Sequence, residues 1–383
     1  MSILYESFIL MEEMAVKCLS DVDKQTSNLN MYEVKTLKTH VFFVDKNVDD
    51  LNSCPQIIQA ASYLQRGELV AFPTETVYGL GANAMSTAAV ENIFIAKGRP
   101  SDNPLIVHIA TTEQLHDIAC DIPPVAYTLM EHFWPGPLTL VLPKKEAVSP
   151  RVTAGLNTVA VRMPNHPIAL ALIKASGLPI AAPSANRSGR PSPTTAKHVL
   201  DDLDGRIAAI VDGGATGVGV ESTVIDCTTA IPTILRPGGV TKEDIEQVIG
   251  VVDIDRALVE KEAVPKSPGM KYTHYAPKAP LVVVHGSPAF LQRVINEKRA
   301  HGLKVGVLTT EEGRHTYEAD VIISCGRRSD LRTVAKKLYD ALRTFDETNV
   351  DLIYSESFPY EGIGVAIMNR LLKAAGHEQM MEK

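Results

Sequence analysis

The chain has 383 residues, 45% hydrophobic and 22% charged, with 45 acidic against 38 basic side chains and a net charge of −7. That length predicts two domains, because single cores rarely grow beyond about 250–300 residues. The acidic balance, without a Lys/Arg-rich run, argues against a pure nucleic-acid module, which needs about 6–10 phosphate contacts on a basic face; no run approaches the roughly 18 apolar residues of a membrane span.

Five cysteines, Cys18, Cys54, Cys120, Cys227 and Cys325, form neither a CxxC pair nor a zinc spacing. They read as reduced, buried thiols of a cytoplasmic protein. The start, MSILYESFILMEEMAVK, has three glutamates and no basic n-region, unlike a signal peptide. Residues 1–40 read as an N-terminal extension, with residues 1–30 lying upstream of a natural start at Met31. The alternative is a short helix from Ile3 to Leu19 followed by a linker.

From Val41 onward, apolar runs alternate with helical periodicity. Strands are expected at 69–72, 105–109, 138–142, 158–163, 179–182, 207–211, 222–227 and 233–236. Helices are expected at 55–66, 87–97, 167–176, 194–203 and 241–249. Several strands are joined by loops too short for a helical crossover, so residues 41–252 should be an α/β domain with a mixed sheet and flanking helices. Residues 253–279, with four prolines from 265 to 280, read as an extended linker. Two tyrosines, a histidine and two lysines between Pro265 and Pro277 suggest a flap over a site rather than an inert spacer. Residues 280–383 read as a smaller, Rossmann-like α/β domain. Its strands are expected at 281–286, 304–308 and 351–357 and its helices at 288–300, 330–345 and 363–375.

The 87–97 helix shows how a site could be placed. Ser86 or Thr87 can cap it, Ala89, Val90, Ile93 and Phe94 form its apolar stripe, Gly98 supplies a left-handed stop and Pro100 prevents continuation. Lys97 and Arg99 therefore stand at its exit, where cations also simply complement a helix dipole. Ser184 and Asn186 follow the strand 179–182 and either point hydrogen-bonding groups out of a strand end, where α/β sheets place ligands, or form a simple Asx or Ser turn. Arg162 and Arg236 end two further strands, so four cations gather at element ends, a set suited to a triphosphate or carboxylate. The Gly-rich run Asp212–Val224 lacks the GK[ST] of a P-loop and precedes a strand, so it reads as a loop whose Ser222 and Thr223 reach a ligand. His108, alone in its strand, reads as a core or strand-edge histidine. With no nucleophile–histidine–acid motif, HExxH or carboxylate dyad, the chemistry should rest on positioning and electrostatics.

The pairing of Lys97-Gly98-Arg99 with Ser184-Ala185-Asn186 resembles the signature of the YrdC-like family of threonylcarbamoyl-AMP synthases. The resemblance covers roughly residues 41 to 383 and is to the two-domain form. It implies a YrdC-like twisted mixed sheet and synthesis of L-threonylcarbamoyladenylate from L-threonine, bicarbonate or CO2 and ATP, with release of pyrophosphate. The product would pass to a tRNA threonylcarbamoyl-transferase complex. Lys97 and Arg99 would be catalytic. Thr76, His108, Arg162, Ala182 and Ser222 match the family's threonine-binding places. Arg99, Asn103, Thr158, Ser184, Asn186, Ser192 and Arg236 match its ATP-binding places, and Tyr275 matches the linker tyrosine that closes over the nucleotide. Two anionic reactants would need Mg2+ beside these cations. Two other readings stand against it: carbamoyl transfer in hydrogenase maturation, whose zinc-binding cysteine pairs are missing here, and an RNA-binding or ribosome-associated module, which the acidic balance disfavours.

Overall fold

A computed structural model describes residues 38–48, 50–258 and 274–383. The proposed start at Met31, the helix from Ile3 to Leu19 and most of the Pro265–Pro277 segment lie outside the described residues. From Lys38 on, the chain forms one compact unit around two sheets.

The larger sheet is built from β1 (His40–Phe43), β2 (Val70–Phe72), β3 (Gly79–Asn83), β4 (Ile106–His108), β5 (Leu138–Pro143), β6 (Thr158–Arg162), β7 (Ile180–Ala181), β8 (Ala209–Asp212), β9 (Thr223–Asp226), β10 (Thr233–Arg236) and β11 (Asp253–Ile254). Its order is β1-β8-β2-β3-β7-β4-β6-β5-β9-β10-β11. Pairing is parallel between β4 and β6 and antiparallel between β4 and β7, so the sheet is mixed, as the short connections require. Helices cover both faces. Successive residues of β2 serve opposite cores: Ala71 packs with the helix Thr87–Lys97, and Val70 and Phe72 pack with Pro55–Gln65 and Pro167–Ser176. A strand buried on both faces reads as a continuous apolar run, which is why β2 was legible.

The smaller sheet has β12 (Leu281–His285), β13 (Val305–Thr309), β14 (Val321–Ser324), β15 (Leu352–Glu356) and β16 (Gln379–Met381), all parallel, in the order β14-β13-β15-β12-β16. The helix Pro288–Ala300 packs on one face, and Leu331–Phe345 and Ile363–Ala374 on the other. This is the doubly wound α/β arrangement expected for residues 280–383.

Several elements carry no clear sequence mark. The helix Pro124–Phe133 opens on Pro124, a residue tolerated in a first turn but more often met in loops. β3 is made of Gly-Leu-Gly-Ala-Asn, residues of low strand propensity. A Cβ on Gly81 would stand 2.8 Å from Phe72 Cε1 and 2.9 Å from Ile180 Cγ2, so glycine permits the close approach of its neighbours. β1, β14 and β16 are short or lie at sheet edges.

The two sheets meet at a seam that explains the Gly-rich run. Val77 and Val220 join the core of the smaller sheet. Gly219, at φ +83°, lies so close to the helix Leu331–Phe345 that a Cβ would stand 2.4 Å from the Ala335 carbonyl oxygen. Gly219→Ala should therefore cost about 2–3 kcal/mol through combined overpacking and left-handed strain. A thermal melt shows this as a loss of several degrees, and an unchanged melt would contradict the packing.

Candidate active site

A cavity opens where the 73–79 turn and the ends of β4, β6, β7 and β10 converge. Ser86 caps the helix Thr87–Lys97 by accepting from the Ala89 amide, and Gly98 closes it at φ 61°, ψ 41°. The chain then reverses and sends Arg99 back towards the cavity. Lys97 does more than complement the helix dipole. It is 4% exposed, and its Nζ donates to the main-chain oxygens of Ser184 and Asn186, the latter at 2.6 Å. Ser184 Oγ donates to Asn186 Oδ1 at 2.5 Å, and Asn186 Nδ2 donates to the Arg187 and Arg190 carbonyls. The two signature triplets are thus one hydrogen-bonded unit, though 87 residues apart in sequence.

The other wall is set by strand register. Parallel pairing places His108 beside Arg162. Arg162 Nη1 donates to Thr76 Oγ1 at 3.0 Å and its Nε to the Gly136 carbonyl at 3.2 Å; its Nη2 lies 2.6 Å from the Glu75 carboxylate. Ser222 Oγ lies 2.7 Å from Thr139 Oγ1, and Arg236 donates to the Ser222 carbonyl at 2.9 and 3.1 Å. Tyr275, at φ 67° and 5% exposed, closes the end of the cavity with its ring 5.1 Å from that of Tyr339.

Lys97, Arg99, Arg162 and Arg236 all line this space, and Glu221 is the one acidic residue among its lining residues. Burial, reinforced by Arg99, pushes the Lys97 ammonium well below its ordinary pKa. Burial and Arg162 hold His108 down at about 3; burial, then Arg99 and nearby lysines, hold His274 at about 4. Both imidazoles are neutral at pH 7, and His274 Nε2 is buried without a hydrogen-bond partner among the described residues. Burial alone would raise the Glu221 carboxyl, but Arg370 and Arg236 outweigh it and bring it to about 2. The cavity is a cationic, partly dehydrated space in which an incoming anion would favour the charged form of Lys97.

A family model described as "Telomere recombination", of the Sua5, YciO and YrdC proteins, matches residues 62–238, and one described as "Threonylcarbamoyl-AMP synthase, C-terminal domain" matches 240–376. The threonylcarbamoyl-AMP synthase of Bacillus subtilis is 63% identical over 341 residues, which is 89% of this chain and 99% of that protein. This chain belongs to the threonylcarbamoyl-AMP synthase family. The Pyrococcus abyssi member is 54% identical over 83% of this chain and 93% of its own. A crystal structure of P. abyssi Sua5 complexed with L-threonine superposes with a TM-score of 0.84 at 49% identity, covering 90% of this chain and all of that one.

Of the residues the family resemblance singled out, Thr76, Lys97, Arg99, His108, Arg162, Ala182, Ser184, Asn186, Ser222, Arg236 and Tyr275 line the cavity. Asn103, Thr158 and Ser192 do not. Asn103 is buried behind Arg99 and accepts from its Nη2 at 3.3 Å through the main chain. Ser192 Oγ donates to Glu221 at 2.6 Å. Thr158 stands at the far end of β6 from Arg162, paired with Pro143, about 13 Å away at an extended rise of roughly 3.3 Å per residue. Thr223 turns its hydroxyl to the Val240 carbonyl instead of the cavity. Sequence reasoning passed over Glu221, Tyr339 and Arg370. They meet only in three dimensions, with Arg370 149 residues from Glu221, and nothing local to either segment marks them.

Proposed function

We infer that this chain is an enzyme of nucleotidyltransferase type that makes L-threonylcarbamoyladenylate from L-threonine, bicarbonate or CO2 and ATP, releasing pyrophosphate. The observation that carries this reading is the joining of the two signature triplets through Lys97 in a cavity lined by four cations. Membership of the family and the L-threonine bound in the P. abyssi relative support it.

Arg162, Thr76, His108, Ala182 and Ser222 would hold threonine, its carboxylate facing Arg162 and exchanging with the Glu75 contact. Threonine's amine, with a reference pKa of about 7.7–8.0, loses its proton at modest cost, so no strong general base is required. Its nitrogen lone pair then forms a C–N bond to CO2 as a C=O pair moves onto oxygen, and the nitrogen gives up a second proton to water, leaving a carbamate. A carbamate oxygen then attacks the α-phosphorus while the bond to the bridging oxygen breaks and pyrophosphate leaves. Lys97 and Arg99 offset the repulsion between the anions, and Arg236, Ser184 and Asn186 orient the nucleotide. Asn103 and Ser192 would act on ATP from behind this lining, and Thr158 would do so only towards the far end of β6. No group of three or more His, Cys, Asp or Glu side chains suited to a metal occurs among the described residues. Glu221 is already held by Arg370. We therefore propose that Mg2+ enters as part of the nucleotide substrate, held by its phosphates.

The product would feed a transferase complex that builds threonylcarbamoyladenosine in tRNA, in the cytoplasm. No helix among the described residues is long and apolar enough to cross a membrane. Pyrophosphate release by the purified protein should need ATP, L-threonine and bicarbonate together. ATP turnover indifferent to threonine, or none with Mg2+ present, would favour the RNA-binding reading, whose affinity should fall steeply with salt.

A further inference from the structure

Glu221 lines the cavity but belongs to neither proposed substrate set. Its carboxylate accepts from Ser192 Oγ at 2.6 Å, Tyr339 Oη at 2.8 Å and Arg370 Nε at 2.9 Å. Tyr339 and Arg370 come from two helices of the smaller sheet, Leu331–Phe345 and Ile363–Ala374. Arg370 is fully buried, and its Nη1 also donates to the Pro237 carbonyl at 2.6 Å, next to Arg236. One guanidinium thereby ties the Glu221 segment to the turn after β10. A carboxylate released into this cavity would face the triphosphate and repel it, with little water to screen the charge.

We propose that Arg370, assisted by Tyr339, is a positioning residue for the nucleotide: it holds the Glu221 carboxylate on the smaller sheet's side, so that the cavity presents cations to the triphosphate. The smaller sheet thus contributes to the reaction through this clamp. The inference rests on the adenylate-forming reading above and adds to it a task for residues 331–374.

The full chain, as wild type, Arg370→Met and the double variant Glu221→Gln/Arg370→Met, would be compared by steady-state kinetics and by calorimetric Kd for Mg–ATP. Arg370→Met should raise the KM and Kd for ATP about tenfold or more, with the threonine KM changing less than about threefold. Removing the freed charge in the double variant should restore most of the ATP affinity, which a merely structural role for Arg370 would not do. A folded Arg370→Met protein with unchanged ATP affinity, or a double variant no better than the single, overturns the clamp. If Arg370→Met shows no cooperative melt, Tyr339→Phe takes its place. That variant should raise the Kd for ATP about two- to fivefold, and an unchanged value overturns the clamp equally. A wild type that binds ATP but releases no pyrophosphate would sink the adenylate reading alone, because the Kd comparison still decides the clamp.

Discussion

Lys97→Ala and Arg99→Ala should each lower turnover at least 100-fold, equivalent to about 2.7 kcal/mol of lost transition-state stabilisation. Negative charge accumulates as a carbamate approaches a triphosphate, and these two cations face that space. The two variants should differ in a second respect. Lys97 is 4% exposed and bonds two main-chain oxygens, so its removal also leaves buried carbonyls without a donor, at a cost of about 1–3 kcal/mol of stability. Arg99 is half-buried and ends a turn, so Arg99→Ala should melt near the wild-type temperature. Single-turnover pyrophosphate release beside a melting curve separates the two effects. Near-normal activity in either variant would refute its electrostatic role.

Acid should destabilise the protein well before its carboxylates titrate. Burial is the first cause of the lowered pKa in each of three histidines: His108 at about 3, His166 at about 4 and His274 at about 4. In the unfolded chain the same groups take up protons near pH 6.5. Between about pH 6.5 and 4 the unfolded state therefore binds more protons than the folded one, and stability falls as pH falls. The contribution is fully present above about pH 6.5 and is lost progressively towards the folded values. At about 1.4 kcal/mol per pKa unit, the three together are worth several kcal/mol, a large part of a typical folding free energy. Urea midpoints at pH 7 and pH 4.5 measure this directly. The midpoint should drop sharply, and His166→Asn should flatten the slope. Equal midpoints at the two values would show that these imidazoles protonate freely in the native state.

What could be read from sequence follows the range of the interactions. The helix Thr87–Lys97 was legible because its cap, stripe and stop lie within a dozen residues, and Ser86, Gly98 and Arg99 take the places those rules assign. The strand ends at Arg162 and Arg236 were legible because apolar runs stop there. The burial of Lys97 was not, since it depends on carbonyls 87 residues away. β3 was hidden because its glycines answer to the crowding of Phe72 and Ile180 instead of to strand propensity. Glu221 looked like part of a loose loop, and only the docking of the helices carrying Tyr339 and Arg370 gives its carboxylate a fixed place.

The pairing of β1 with β8 bears on how the chain is made. Thr39 Oγ1 donates to the Ile207 carbonyl across 168 residues, and β2 also rests on β8. At a synthesis rate of about 5–20 residues per second, the first strand waits roughly 10–30 s for its neighbour to emerge. During that interval the apolar run of β2 has no β8 to shield it. The β1–β8–β2 side of the larger sheet can pair only after residues 209–212 have left the ribosome, a long-range pairing of the kind that slows folding.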